Sequence, residues 1–126
     1  MIKKAEILAA LFVVISLWTG SLQAARIITV DDDGPADFNS IQAAIDDSND
    51  GDTIIVNPGL YMEYIMFNGK NITVTSTKPN DFDVVASTII DYGVGFVGTE
   101  DPNCTLTGFK INGWIYGGAN HTHATI

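Results

Sequence analysis

The chain has 126 residues, room for one domain, and sets six Lys and Arg against fifteen Asp and Glu for a formal net charge of −9. That balance excludes nucleic acid and anionic lipid as partners, because phosphate binding depends on clustered bases. Divalent cations and neutral or cation-bridged glycans suit it better, and an acidic surface also keeps an exported protein soluble.

The first segment reads as a leader. Lys3 and Lys4 form a basic start, Ile7 to Trp18 is an apolar run interrupted only by Ser16, and small Ala24 suits the position before a cut. The run is well short of the ~20 apolar residues that cross a bilayer. Residues 1–24 are therefore expected to be a signal peptide and 25–126 the mature domain. The product is expected to be secreted, extracellular or at the cell surface, with the periplasm as an alternative, and without membrane association once the leader is gone. Arg26, Lys70, Lys78 and Lys110 then face fourteen carboxylates, for a mature charge of −10. Cys104 is the sole cysteine, so no intrachain disulfide forms, and it reads as a small buried apolar residue.

After a short β-type run, Arg26 to Val30, and the turn Asp31-Asp32-Asp33-Gly34-Pro35, the spacing of Ile41, Ala44 and Ile45 predicts a helix over about 39–48. Asn39 is its expected cap, Gln42 the reciprocal capping-box partner, and Asp50-Gly51-Asp52 its stop. Nothing later reads as helix. From Thr53 onward short β-rich runs alternate with Gly, Asn, Pro and Asp. Ile54, Ile72, Ile89, Leu106 and Thr125 recur at steps of 18, 17, 17 and 19 residues. A period near twenty points to a solenoid, with an antiparallel sandwich as the competing architecture.

The residues of these runs favour the solenoid. Asp37-Phe38-Asn39-Ser40-Ile41-Gln42-Ala43-Ala44-Ile45 resembles the opening of pectinesterases and related pectin-lyase-like proteins. Gly51 to Val56, Pro58-Gly59 with Tyr61 and Glu63, and Lys70 to Val74 follow in that family's order. Gly98 to Phe109 is similar to bacterial right-handed β-helix repeat proteins. The resemblance spans roughly residues 27–126. It implies an all-β, right-handed parallel β-helix with one short N-terminal capping helix. The final run, Ala124-Thr125-Ile126, suggests the front piece of a longer β-helix, whose further coils would be its neighbours.

The resemblance does not carry catalytic residues over. Pectinesterases use aspartates, glutamines for the oxyanion and an orienting arginine, and donors of that kind must be in place before reaction. Gln42 is the only glutamine after residue 24, and Arg26 the only arginine in the chain. A pectate-lyase-like arginine base is missing too. The expectation leans against an enzyme for this chain as given.

Asp46, Ser48 and Asp50, with Gly51, match the first half of an EF-hand loop, but Asn57 stands where the bidentate Glu belongs. Ca²⁺ is a weak candidate there and no cofactor is expected. Asp31 to Asp33 lack ligand spacing altogether, though they can hold a loosely bound cation. His121 and His123 would share one side of a strand without a third ligand, and read as a solvent-facing pair. Asn71, Asn103 and Asn120 begin glycosylation patterns that Asn at corners and Thr in strands also produce. Trp114 and Tyr116 share a face beside Gly113, Gly117 and Gly118, and are candidates either for stacking on sugars or for packing under a neighbouring loop. The expected function is an exported module that binds or helps to process polysaccharide. The alternatives are a structural or adhesive surface protein, and the front part of a pectin-active enzyme with its catalytic residues downstream.

Overall fold

The computed structural model describes residues 23–97 and 103–117. Among these residues, short extended runs separated by turn residues become ten strands. These are β1 (Ile27–Val30), β2 (Thr53–Val56), β3 (Gly59–Tyr61), β4 (Tyr64–Met66), β5 (Thr73–Ser76), β6 (Thr88–Ile90), β7 (Gly93–Phe96), β8 (Thr105–Thr107), β9 (Lys110–Ile111) and β10 (Trp114–Gly117). Two helices interrupt them, α1 (Ile41–Asp47) and α2 (Phe82–Ser87).

Among the described residues the regular structure is thus mainly strand, and the strands form three sheets: β1-β2-β5-β8, β3-β6-β9 and β4-β7-β10. Every strand pair is parallel. Parallel neighbours cannot be joined by a tight hairpin. Here the chain visits the other two sheets before it returns. After β1 and α1, the triplets β2-β3-β4, β5-β6-β7 and β8-β9-β10 each add one strand to each sheet.

Alternation along the strands decides what is buried. Ile28, Ile54, Val74 and Leu106 stand in register in the first sheet, Tyr61, Ile90 and Ile111 in the second, and Ile65, Val94 and Ile115 in the third. All but Ile111 and Ile115 of these are buried, in one cluster with Ile41, Ala44, Ile45, Phe67, Ile72, Phe96 and Cys104. The Phe67 and Phe96 rings stack at 4.6 Å. Each fully buried Ile or Val contributes roughly 1.5–3 kcal/mol by leaving water.

Helix α1 lays Ile41, Ala44 and Ile45 on this core and is fastened at both ends by side chains from one later stretch of chain. Glu63 accepts from Ser40 Oγ (2.7 Å), Ile41 N–H (2.7 Å) and Gln42 N–H (3.2 Å). At the other end Lys70 Nζ donates to the carbonyls of Ile45, Asp46 and Ser48 at 2.6, 2.7 and 2.8 Å. A negative charge thus meets the exposed N–H groups and a positive charge the exposed carbonyls, the pairing that the helix ends favour. Arg26 ties the entrance of β1 to the same region through Asp52 and Asp47.

Six sequence expectations change. The helix cap is Ser40, not Asn39, because Ser40 Oγ is the group that reaches the Ala43 N–H. Gln42 instead bonds Asp46 and both backbone groups of Met66, so the capping-box role passes to Glu63. The helix also stops before Asp50-Gly51-Asp52, where Ser48 returns its N–H to Ala44 and Ile45.

The second helix was not legible, since α2 buries none of its residues and therefore shows no apolar stripe. Its start is local: Asp81 accepts from the N–H groups of Asp83 and Val84.

The near-twenty period mixes sheets. Ile54 is in register with Val74 rather than Ile72, and Ile89 belongs to the second sheet. The true partners Ile28, Ile54, Val74 and Leu106 lie 26, 20 and 32 residues apart, with α1, α2 and longer loops taking up the difference. Finally, the run Leu106 to Ile111 is two strands. Gly108 breaks it at φ 83°, where a side chain would be strained and would collide with Ser76 and Pro79. The marker Thr125 lies outside the described residues.

Candidate functional site

The third sheet presents a face unlike the other two. Pointing away from the core, Tyr64, Gly93 and Trp114 form one row across its strands, and Met66, Gly95 and Tyr116 the next. Trp114 is 86% exposed and Tyr116 74%, so the structure brings the two aromatic candidates side by side and leaves both rings in water. Two residues apart on one strand, they are separated by about 6.6 Å along it. The packing alternative, burial under a loop, does not apply among the described residues. Ile115, between them, faces the core side in register with buried Val94.

Tyr64 was not among the sequence candidates. It sits two strands away from Trp114, about 9.6 Å across the sheet at the usual strand spacing, and is 42% exposed. Its position inside an apolar run, Tyr64 to Phe67, read only as strand. The parallel register alone could have exposed it. Tyr92, in the turn before β7, is exposed at the margin, where Asn112 Nδ2 bonds Asp91 across the adjoining turns. The three strands of this sheet carry no charged side chain.

The acidic candidates are occupied by structural work. Asp46 Oδ1 accepts from Gln42 Nε2, Ser48 Oγ is buried and donates to the Ile45 carbonyl, and Asp50 Oδ1 accepts from the Asn71 N–H. Each faces a different neighbour, and the bonds close the end of the helix. The carboxylates of Asp31, Asp32 and Asp33 do lie within 4.8 Å of one another. Yet Asp31 accepts from Asn57 Nδ2 at 2.8 Å and Asp32 from the Leu60 N–H at 3.1 Å, pinning this turn to the next stretch of chain. The Asn57 bond also holds the Asp31 carboxyl below its ordinary range. Burial, then the charges of Asp32 and Asp31, push the Tyr61 hydroxyl far above its usual range, and it donates to the Asn57 carbonyl. Tyr61 is thus a structural hydroxyl, not an acid–base group.

The expected leader, apart from Gln23 and Ala24, lies outside the described residues, as do His121, His123, the Asn120 pattern and the whole Gly98 to Pro102 stretch. Among the described residues no helix is long and apolar enough to cross a membrane. Comparison with protein-family models, with curated proteins and with solved structures gives no match for this chain.

Proposed function

We propose that this chain is an exported, right-handed parallel β-helix module that binds polysaccharide through the outward face of its third sheet. Three features support the β-helix reading: uniformly parallel pairing, one strand added to each sheet per triplet, and a shared core of in-register Ile and Val. The leader pattern supports export. The observation that carries the binding reading is the exposed pair Trp114 and Tyr116 on one uncharged face. Large rings held in water on a rigid strand offer flat apolar area at little conformational cost, which suits the C–H faces of sugar rings. No cofactor enters the proposal.

The test is affinity electrophoresis through gels cast with dissolved polysaccharides, using the product purified from cells expressing the full chain. Retardation should appear with at least one glycan and disappear in the Trp114→Ala and Tyr116→Ala variants, while their unfolding curves stay unchanged. A double variant that is still retarded like the parent would overturn the proposal. Absence of retardation in every gel would favour the structural or adhesive alternative.

A further inference from the structure

We infer that Tyr64, laid over Gly95, extends this surface across the sheet, and that its ligand is a neutral glycan running across the strands. The inference rests on the binding reading above and adds a residue, a direction and a ligand class to it.

The geometry begins with the middle strand. Both outward positions of β7 are glycine, and both are buried. A Cβ at Gly95 would lie 2.5 Å from Met66 Sδ and 2.7 Å from Tyr64 Oη. The Tyr64 ring and the Met66 thioether therefore lean from β4 over β7, toward β10, in space that any other residue at 95 would occupy. The sheet is covered here by a reclining ring instead of a standing side chain. Core packing does not call for this, because the core is on the opposite side of the sheet, at Ile65 and Val94.

The direction follows from the register. Tyr64 and Trp114 belong to one row that crosses the strands, spaced about 9.6 Å. The Tyr64 ring leans off that row over Gly95, toward Tyr116, so a glycan that crosses the strands meets the Tyr64 ring above β7 and the Trp114 and Tyr116 rings on β10.

The ligand class follows from charge. A uronate or sulfate polymer needs cations beside its anions, and the strands of this sheet supply none. Arg26 is engaged by Asp52 and Asp47, Lys70 by the carbonyls of α1, Lys78 follows β5 of the first sheet, and Lys110 stands on the second sheet. The mature charge of −10 repels a polyanion further.

Trp18 and Trp114 are the two tryptophans, so a Trp18→Phe chain leaves Trp114 as the sole emitter in the product purified from expressing cells. Its emission is followed against soluble neutral oligosaccharides of glucose and mannose, and against polygalacturonate with and without Ca²⁺. A neutral glycan should shift the emission to the blue as water leaves the ring. Tyr64→Ala should weaken that binding roughly fivefold or more, the equivalent of about 1 kcal/mol of lost ring contact. Tyr64→Phe should keep it, since the ring face and not the hydroxyl is used. Gly95→Ala should weaken it through displacement of Tyr64, with far-UV circular dichroism checking the fold.

Unchanged affinity in both Tyr64→Ala and Gly95→Ala would refute the extension while leaving the Trp114 and Tyr116 reading intact. Tighter binding of polygalacturonate than of any neutral glycan would refute the ligand class. If no glycan binds, both readings fall.

Discussion

Helix α1 is held by a clamp whose strength can be worked out bond by bond. Replacing Lys70 with Met keeps most of the aliphatic stem and removes three charge-assisted hydrogen bonds to the helix end. The carbonyl of Ile45 keeps partners in the Ser48 N–H and hydroxyl, and that of Asp46 lies in an exposed contact where water can replace the lysine. The main loss is therefore at Ser48, with a smaller one from the charge near the carbonyls. At about 1.5–3 kcal/mol for a bond to a charged group, the substitution should cost about 2 kcal/mol. Glu63→Ala at the other end, losing three donors, should cost a similar amount, about 2–3 kcal/mol.

The buried faces of Ile41 and Ile45 contribute together about 3–6 kcal/mol, more than either clamp, so each single variant should keep the helix docked. The two ends are about 10 Å apart in a seven-residue helix. The double variant should thus be additive within about 0.5 kcal/mol. Urea unfolding followed by circular dichroism measures all three. A loss below about 0.5 kcal/mol for Lys70→Met would show that water replaces the lysine freely, and the clamp argument would fail.

Other outcomes can be checked on the same protein. Burial pushes the Asp52 carboxyl up, but hydrogen bonds from the Asn49 and Arg26 N–H groups and the Arg26 guanidinium outweigh it, leaving its pKa below the ordinary value. A depressed carboxylate contributes stability above its unfolded value of about 3.9 and loses it as pH falls through the folded value. Asp52→Asn should therefore be less stable at pH 7 and show a shallower acid decline below about pH 4, and an unchanged acid limb would contradict the assignment. N-terminal sequencing of the exported product should begin at Ala25 or within a residue or two of it, and recovery of intact Met1 in the membrane fraction would defeat the leader reading. The purified product should turn over neither methylated pectin nor polygalacturonate above a blank, because the donors for the developing charge are missing. Measurable turnover of either would place catalytic groups where none were read.

Legibility in the sequence followed the range of the interaction. The apolar face of α1 could be read because Ile41, Ala44 and Ile45 declare it by spacing, and the strand runs because β-branched residues and turn residues alternate. The partners of those elements could not. Glu63 and Lys70 stood inside recognisable motifs, yet their work is done 21 to 25 residues away, and no local pattern marks that. Helix α2 escaped because it has no buried face. The pairing period failed for a related reason: apolar residues recur in every sheet, so equal steps along the chain linked residues of different sheets. Trp114 and Tyr116 could be named as a pair because i and i+2 share a strand face. Tyr64 could not, since its place beside them depends on β7 lying between.

This face makes an unusual use of a strand position. An outward residue on a central strand ordinarily carries a polar or β-branched side chain that packs with its neighbours across the sheet. Gly93 is required by the backbone, since it sits at φ 117° and a Cβ there would strike the Trp114 carbonyl, but glycine at 95 forgoes those contacts and weakens the strand itself. The gain is space for Tyr64 and Met66 to lie flat. A fold under no demand but stability would fill position 95 with Thr or Val and let Tyr64 stand in solvent. A Gly95→Val substitution thus separates the two demands. If Gly95 is kept for the surface and not for stability, the variant should resist urea as well as or better than the parent in spite of the displaced ring. Loss of glycan binding in a variant so stabilised would show that Gly95 serves the surface rather than the strand. Lower stability would mean instead that the reclining Tyr64 and Met66 are themselves part of what holds the sheet.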